Sequence, residues 1–208
     1  MIDVRRWMLV AMALLLVAAT ACRSSTRTRA TPSDCADAGP GNRDWYAGTP
    51  EMQRRVRNLI AEIPHIEGVA RIELGRQIIA VGEPAIPLLV EALGHPDAAT
   101  RGTAAWLLGF TNDPRVTNCL ARATRDRDPL VGYQAAASLV GMGDPRGLCR
   151  LIQGLDDGDP RVRAQCFDSL EHRTGETFGY APDQAPCERS AAVARWRAWA
   201  ASLPQGNL

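Results

Sequence analysis

Apolar residues recur along this chain with a helical beat, and the beat itself repeats. Ile86, Leu89, Val90 and Leu93 are spaced i, i+3, i+4, i+7, which is one face of a helix. Stepping on by 31 residues gives Thr117, Leu120, Ala121 and Thr124, and a further 31 gives Leu148, Leu151, Ile152 and Leu155. A second series keeps the same interval: Thr100, Ala104 and Leu108, then Val131, Ala135 and Leu139, then Val162, Cys166 and Leu170. The small central residue of each trio lets paired helices approach closely. Two stripes per period predict two helices per unit, and a fixed period of this size marks stacked units rather than one globular core.

The helix starts agree. Asp-Pro supplies a capping carboxylate and a first-turn residue that loses no needed N–H. It occurs at Asp113-Pro114, Asp128-Pro129, Asp144-Pro145 and Asp159-Pro160, at alternating steps of 15 and 16 residues. Those steps leave about 11–13 residues per helix once turns are subtracted. Asp97 and Gly82 hold the corresponding places in the first unit. Burying each large aliphatic of the stripes contributes roughly 1.5–3 kcal/mol, so Leu120→Asp or Leu139→Asp is expected to unfold the stack.

Asp159-Pro160-Arg161-Val162-Arg163 resembles the second-helix start of HEAT repeats in full. Asp128-Pro129-Leu130-Val131-Gly132 lacks its Arg, and Asp97-Ala98-Ala99-Thr100-Arg101 lacks its Pro and Val. The short period is similar to the compact HEAT-like subgroup named after phycobilisome lyases, and the resemblance spans about residues 66–203. It implies an all-α fold, an α-α superhelix of antiparallel helix pairs, and it is nearly silent on function. Residues 50–63 and 66–81 are expected as helices capping the first unit. A loop over 174–187 and a helix over 188–203, bearing Trp196 and Trp199, are expected to close the other end. The tryptophans read as cap packing.

Composition adds little. Formal net charge is +1 and the apolar share is 46%, so nothing favours nucleic acid. The chain has no lysine, and its 24 cationic side chains are all arginine, whose planar fork can bridge neighbouring helices with two hydrogen bonds.

The amino-terminal residues read as an address. Arg5 and Arg6 precede an apolar run over 7–21, too short for a comfortable membrane span of about 20 residues and suited to a secretory signal. Ala19-Thr20-Ala21-Cys22 resembles a bacterial lipobox, with Ala19 where that family usually carries leucine. The resemblance implies that Cys22 is acylated and becomes the first mature residue; ordinary cleavage nearby or an uncleaved anchor are the alternatives. Arg23 is not the Asp that, in enteric lipoproteins, favours inner-membrane retention, so the implied location is the outer membrane facing the periplasm. Residues 23–42 are rich in Ser, Thr, Arg, Pro and Gly and cannot bury enough surface to order themselves. The expected organisation is signal peptide 1–21, flexible tether 22–48, repeat domain with caps 49–203 and tail 204–208.

Six cysteines in an exported chain invite disulfides. Cys166 takes the slot of Ala104 and Ala135 and reads as a small buried filler. Cys119, Cys149 and Cys187 fall near the starts of successive first-type helices. Cys149 can pair with either neighbour, and the favoured bond is Cys149–Cys187, which would staple the last helix to the stack. Cys35 lies in the tether, free or intermolecular. Cysteines are nowhere spaced as a metal site requires.

Motifs of catalysis are missing: no H-E-x-x-H, phosphate loop or G-x-S-x-G occurs. Asp156, Asp157 and Asp159 read as a solvated helix start, not a calcium loop. The expected role is binding without catalysis, metal or cofactor. The second helices of HEAT units line a concave wall, and the residues expected to face outward from it are Trp106, Tyr133, Gln134, Arg161, Gln165 and Asp168. The expectation is a monomeric, lipid-anchored scaffold for an unidentified protein partner. The alternatives are a small-molecule-binding or lyase-type accessory protein using the groove, and a purely structural envelope component.

Overall fold

The computed structural model describes residues 45–203. The expected leader, the Cys22 acylation site, most of the tether and the tail lie outside those residues.

The described residues form nine α-helices in order: α1 Pro50–Glu62, α2 Gly68–Ile79, α3 Ile86–Ala92, α4 Ala98–Thr111, α5 Thr117–Ala123, α6 Pro129–Gly141, α7 Leu148–Gly154, α8 Pro160–Thr174 and α9 Pro186–Ser202. The described residues contain no strand. The fold is an all-α solenoid. Helices α3, α5 and α7 are the first helices of three successive units, and α4, α6 and α8 the second.

The first helices are shorter than expected. Each Asp-Pro at such a start opens a 3-10 turn, Pro114–Val116 or Pro145–Gly147, before seven residues of α-helix. The aspartate carboxylates accept from the N–H two residues on, Asp113 from Arg115 at 2.9 Å and Asp144 from Arg146 at 3.0 Å. The second helices start directly as α-helix, capped by Asp97 on Thr100 N–H (2.7 Å), Asp128 on Leu130 N–H (2.9 Å) and Asp159 on Arg161 N–H (2.8 Å).

The two stripes are the core. Leu89, Leu120 and Leu151, and Leu108, Leu139 and Leu170, are all buried, as are Ala104, Ala135 and Cys166 between them. The core falls into two clusters that meet within α6: Ala135 and Leu139 pack with the amino-terminal half, Ala136 and Val140 with the carboxy-terminal half. Gly147 and Gly154 are close-approach positions. A Cβ on Gly147 would run into the Ala136 carbonyl, and one on Gly154 into the Cys166 sulfur.

Arginines stitch unit to unit. Arg101, 4% exposed, forks onto both oxygens of Asp126 at 2.8 and 2.9 Å and donates to the His95 and Pro96 carbonyls, each at 2.9 Å. Arg163, 62 residues on, donates instead to the Asp157, Gly158 and Pro182 carbonyls. The middle unit has Gly132 at this place, and there the Tyr133 hydroxyl donates to Asp157 at 3.0 Å. On the outer turns, Arg115 reaches back to Glu83 (2.9 Å) and Arg146 to Asn118 (2.7 Å).

Both ends are closed by aromatic residues. Trp45 donates its indole N–H to Asp113 at 3.0 Å, with the Arg115 guanidinium 5.4 Å from the ring centre. At the other end Trp196 is fully buried, with edge-on contacts to Phe178 at 4.8 Å and Trp199 at 5.6 Å. The tryptophans of α9 are therefore cap packing.

The favoured Cys149–Cys187 bond is not formed. Cys149 is disulfide-bonded, but Cys187 is a free, exposed thiol. The reason is helical phase. Cys187 lies nine residues before Trp196, two and a half turns at 3.6 residues per turn, so it faces away from the stack that Trp196 enters.

Candidate functional site

A recess of about 510 Å³ opens where α2, α4, α6 and α8 line one side of the stack. Its floor is the start of α4, where Ala98, Ala99 and Gly102 leave the backbone nearly bare. The small residues have a structural cause: α4 opens here, capped by Asp97, and its bulky stripe points the other way into the core. The backbone N–H of Thr100 holds the Asp97 carboxyl below its ordinary range.

One wall is α2, with Ile72 and Arg71; the Arg71 guanidinium is held on the Ile66 carbonyl at 2.6 and 3.1 Å. The opposite wall is α6, with Leu130, Val131 and Gln134. Trp106 forms the back. It is half-buried, wedged against Gly75 of α2, where a Cβ would sit 3.0 Å from its ring, and it meets the exposed Phe110 edge-on at 5.2 Å. Gln165 of α8 donates to the side-chain carbonyl of Gln134 at 3.1 Å, and both amides line the recess.

Of the six residues expected on this face, three come together: Trp106, Gln134 and Gln165. Tyr133 does not belong there. It is 7% exposed, packed in the carboxy-terminal core cluster with the Arg150 guanidinium 4.5 Å over its ring. One residue from Gln134 is about 100° around a helix, enough to turn it from the recess toward α7. Burial, and then the hydrogen bond it donates to Asp157, push its hydroxyl up to about 12. Arg161 and Asp168 are exposed on α8 but line no part of the recess; the Arg161 side chain is 93% exposed and 3.7 Å from Asp159.

Ile72 and Leu130 were missed. They are 50% and 58% exposed, large apolar side chains at the mouth of the recess. Their signal was in the sequence as apolar residues off the buried stripe: Leu130 precedes Val131, which begins the stripe of α6.

As for chemistry, no three His, Cys, Asp or Glu side chains gather as a metal-holding group among the described residues. No described helix is long and apolar enough to cross a membrane. The Cys166 thiol, next in the chain to Gln165 but buried in the core, is pushed up to about 12, first by burial, and is no nucleophile at neutral pH. The recess can sort ligands by shape, by apolar contact and by two amides.

Comparison with known proteins places the fold. A family profile described as HEAT repeats matches residues 58–139 and 86–171. Deoxyhypusine hydroxylase-B of Oryza sativa subsp. japonica is 28% identical over 111 residues, covering 50% of this chain. The aligned stretch is only 37% of that enzyme, so the chain spans little more than a third of its relative.

Proposed function

The chain belongs to the HEAT-repeat family, and from that premise we propose that it is a non-enzymatic docking scaffold, lipid-anchored at Cys22 in a bacterial envelope. Its recess takes an extended apolar segment of a partner protein. The observation that carries this reading is the pairing of exposed Ile72 and Leu130 across a floor of Ala98, Ala99 and Gly102. Large apolar side chains left in water around a groove mark an interaction site. The Gln134–Gln165 amides suit the backbone of a bound segment, as convergent polar groups do in apolar sites. An oxidising compartment is supported by the disulfide at Cys149, since such bonds persist outside the reducing cytosol.

A photo-crosslinking residue at position 130 in intact cells tests the scaffold reading. A defined crosslinked band is expected, absent when the probe sits on outer-face Asn118. A smear equal at both positions would contradict it. Cys22→Ala should release the domain from membranes while leaving the recess intact.

A second reading rests on the volume of the recess, which lies within the roughly 300–1,000 Å³ of small-molecule sites, and on the likeness to a hydroxylase. An accessory protein holding a small molecule there would carry its ligand into native mass spectrometry, and a Gly102→Phe variant would lose it.

A further inference from the structure

We propose, building on the scaffold reading, that the recess holds the carboxy terminus of an extended partner segment, which enters over α8 and ends with its carboxylate on Arg71 of α2.

The polar groups of the recess form a row. Thr103, Gln134 and Gln165 stand 31 residues apart, so α4, α6 and α8 each present one of them at the same helical place, and all three line the recess. Gln165 donates from Nε2 to Gln134 Oε1 at 3.1 Å. That leaves Gln165 Oε1 as an acceptor and Gln134 Nε2 as a donor. Thr103 is 6% exposed, and its hydroxyl has no hydrogen-bond partner among the described residues. A buried polar group without a partner calls for one.

An open acceptor beside an open donor is what one residue of extended chain satisfies. Its N–H and C=O point to the same side, with the N–H toward the amino-terminal end, as in a bonded strand pair. The N–H falls to Gln165 on α8 and the C=O to Gln134 on α6, so the chain runs from α8 toward α2. A helical segment bonds these groups within itself and would leave the row unused.

Charge sets the far end. Arg71 donates Nε and Nη2 to the Ile66 carbonyl at 3.1 and 2.6 Å, which fixes the guanidinium on the wall of the recess. Its third nitrogen, Nη1, has no partner among the described residues. Asp128 also lines the recess, but its carboxylate accepts the Leu130 N–H of its own helix start at 2.9 Å. A chain arriving from α8 reaches Arg71 last, and a guanidinium matches a terminal carboxylate in shape and charge. From α6 to α2 is two helix steps of about 8–10 Å, which about five or six extended residues cover at about 3.3 Å each. The final side chains fall among Ile72, Trp106 and Leu130, which favours aliphatic or aromatic residues there.

The test is fluorescence anisotropy with the purified full chain. The probes are octapeptides of Ser, Thr and Gln that end in two residues drawn from Leu, Val, Phe and Trp. Each carries fluorescein on its amino terminus and is made both as the free acid and as the amide. The acids should bind, and amidation should weaken binding by about tenfold or more, as loss of a charge-assisted bond does. Arg71→Gln should abolish the difference between acid and amide and leave the amide affinity unchanged. Arg71→Lys, which keeps the charge, should retain part of the preference, which a merely structural role at Ile66 would not produce. Gln134→Ala should weaken acid and amide alike. Equal binding of acid and amide by the parent, an acid preference that survives Arg71→Gln, or no binding of any probe would overturn the inference. The band at position 130 is read separately: probes that fail where the band persists sink the terminal-carboxylate reading and spare the scaffold, whereas a missing band sinks both.

Discussion

Removing the Arg101 guanidinium strikes the joint between the first two units. The side chain is 4% exposed and donates four hydrogen bonds, two to Asp126 in the next unit and two to carbonyls of its own unit's turn. Arg101→Ala leaves the Asp126 carboxylate in a largely buried place, with the Asp128 N–H at 2.8 Å as one remaining donor. Breaking a buried pair from one side costs about 3–5 kcal/mol. For a domain of this size that corresponds to roughly 6–20 °C in melting temperature. Urea titration followed by circular dichroism measures the loss. A cycle with Asp126→Ala should give a coupling of roughly 1–3 kcal/mol. Arg163→Ala is the control: its guanidinium meets carbonyls, no carboxylate, and its loss should be smaller. A change under about 1 kcal/mol for Arg101→Ala, or no coupling to Asp126, would refute the claim that this arginine joins the units.

Other outcomes follow from the same geometry. Gly102→Ala places its Cβ at an ordinary 3.7 Å from Val131 inside a helix, so stability should rise by about 0.5–1 kcal/mol. Gly147→Ala meets an immovable backbone carbonyl and should lower it by about 1–3 kcal/mol; equal effects in denaturant melts would contradict both. Ile72→Arg or Leu130→Arg should abolish the crosslinked partner band while leaving the melting temperature within about 2 °C, because neither side chain is in the core. In acid, Asp113 and Asp144 would be raised by burial alone, but bonds from Arg115 and Arg146 outweigh it, and Asp97 is lowered chiefly by the Thr100 N–H. All three therefore contribute stability that is full above about pH 4 and lost as pH falls through their lowered folded values. The urea midpoint should drop from pH 5 to pH 2, less steeply in Asp113→Asn. Thiol titration of native protein should label Cys187 quickly and Cys166 only on unfolding, as exposure and a thiol pKa of about 12 require.

The solenoid was legible because burial obeys periodicity: a leucine at 120, 139 or 151 has one place to go once the period is known. Helix starts were legible because an aspartate cap is a local interaction. The length of α5 and α7 was not, since Asp-Pro can open either a 3-10 or an α turn. The recess was half legible. Trp106, Gln134 and Gln165 follow from helix phase, but Tyr133 was misplaced because the Asp157 and Arg150 that hold it belong to the next unit. Ile72 and Leu130 looked like departures from a stripe, and only the opposed walls of α2 and α6 turn them into a site. Cysteine pairing was illegible for the usual reason that spacing does not determine which face a thiol takes.

The meeting of two cores inside α6 has an architectural consequence. Ala135 and Ala136 are neighbours in the chain yet serve different halves, each sealed by its own tryptophan lid. An extra hairpin spliced at that seam would find on either side the kind of surface its siblings already match, so the rod could grow there without altering either lid. A duplicated segment of residues 113–143 that failed to fold in that position would count against such modularity.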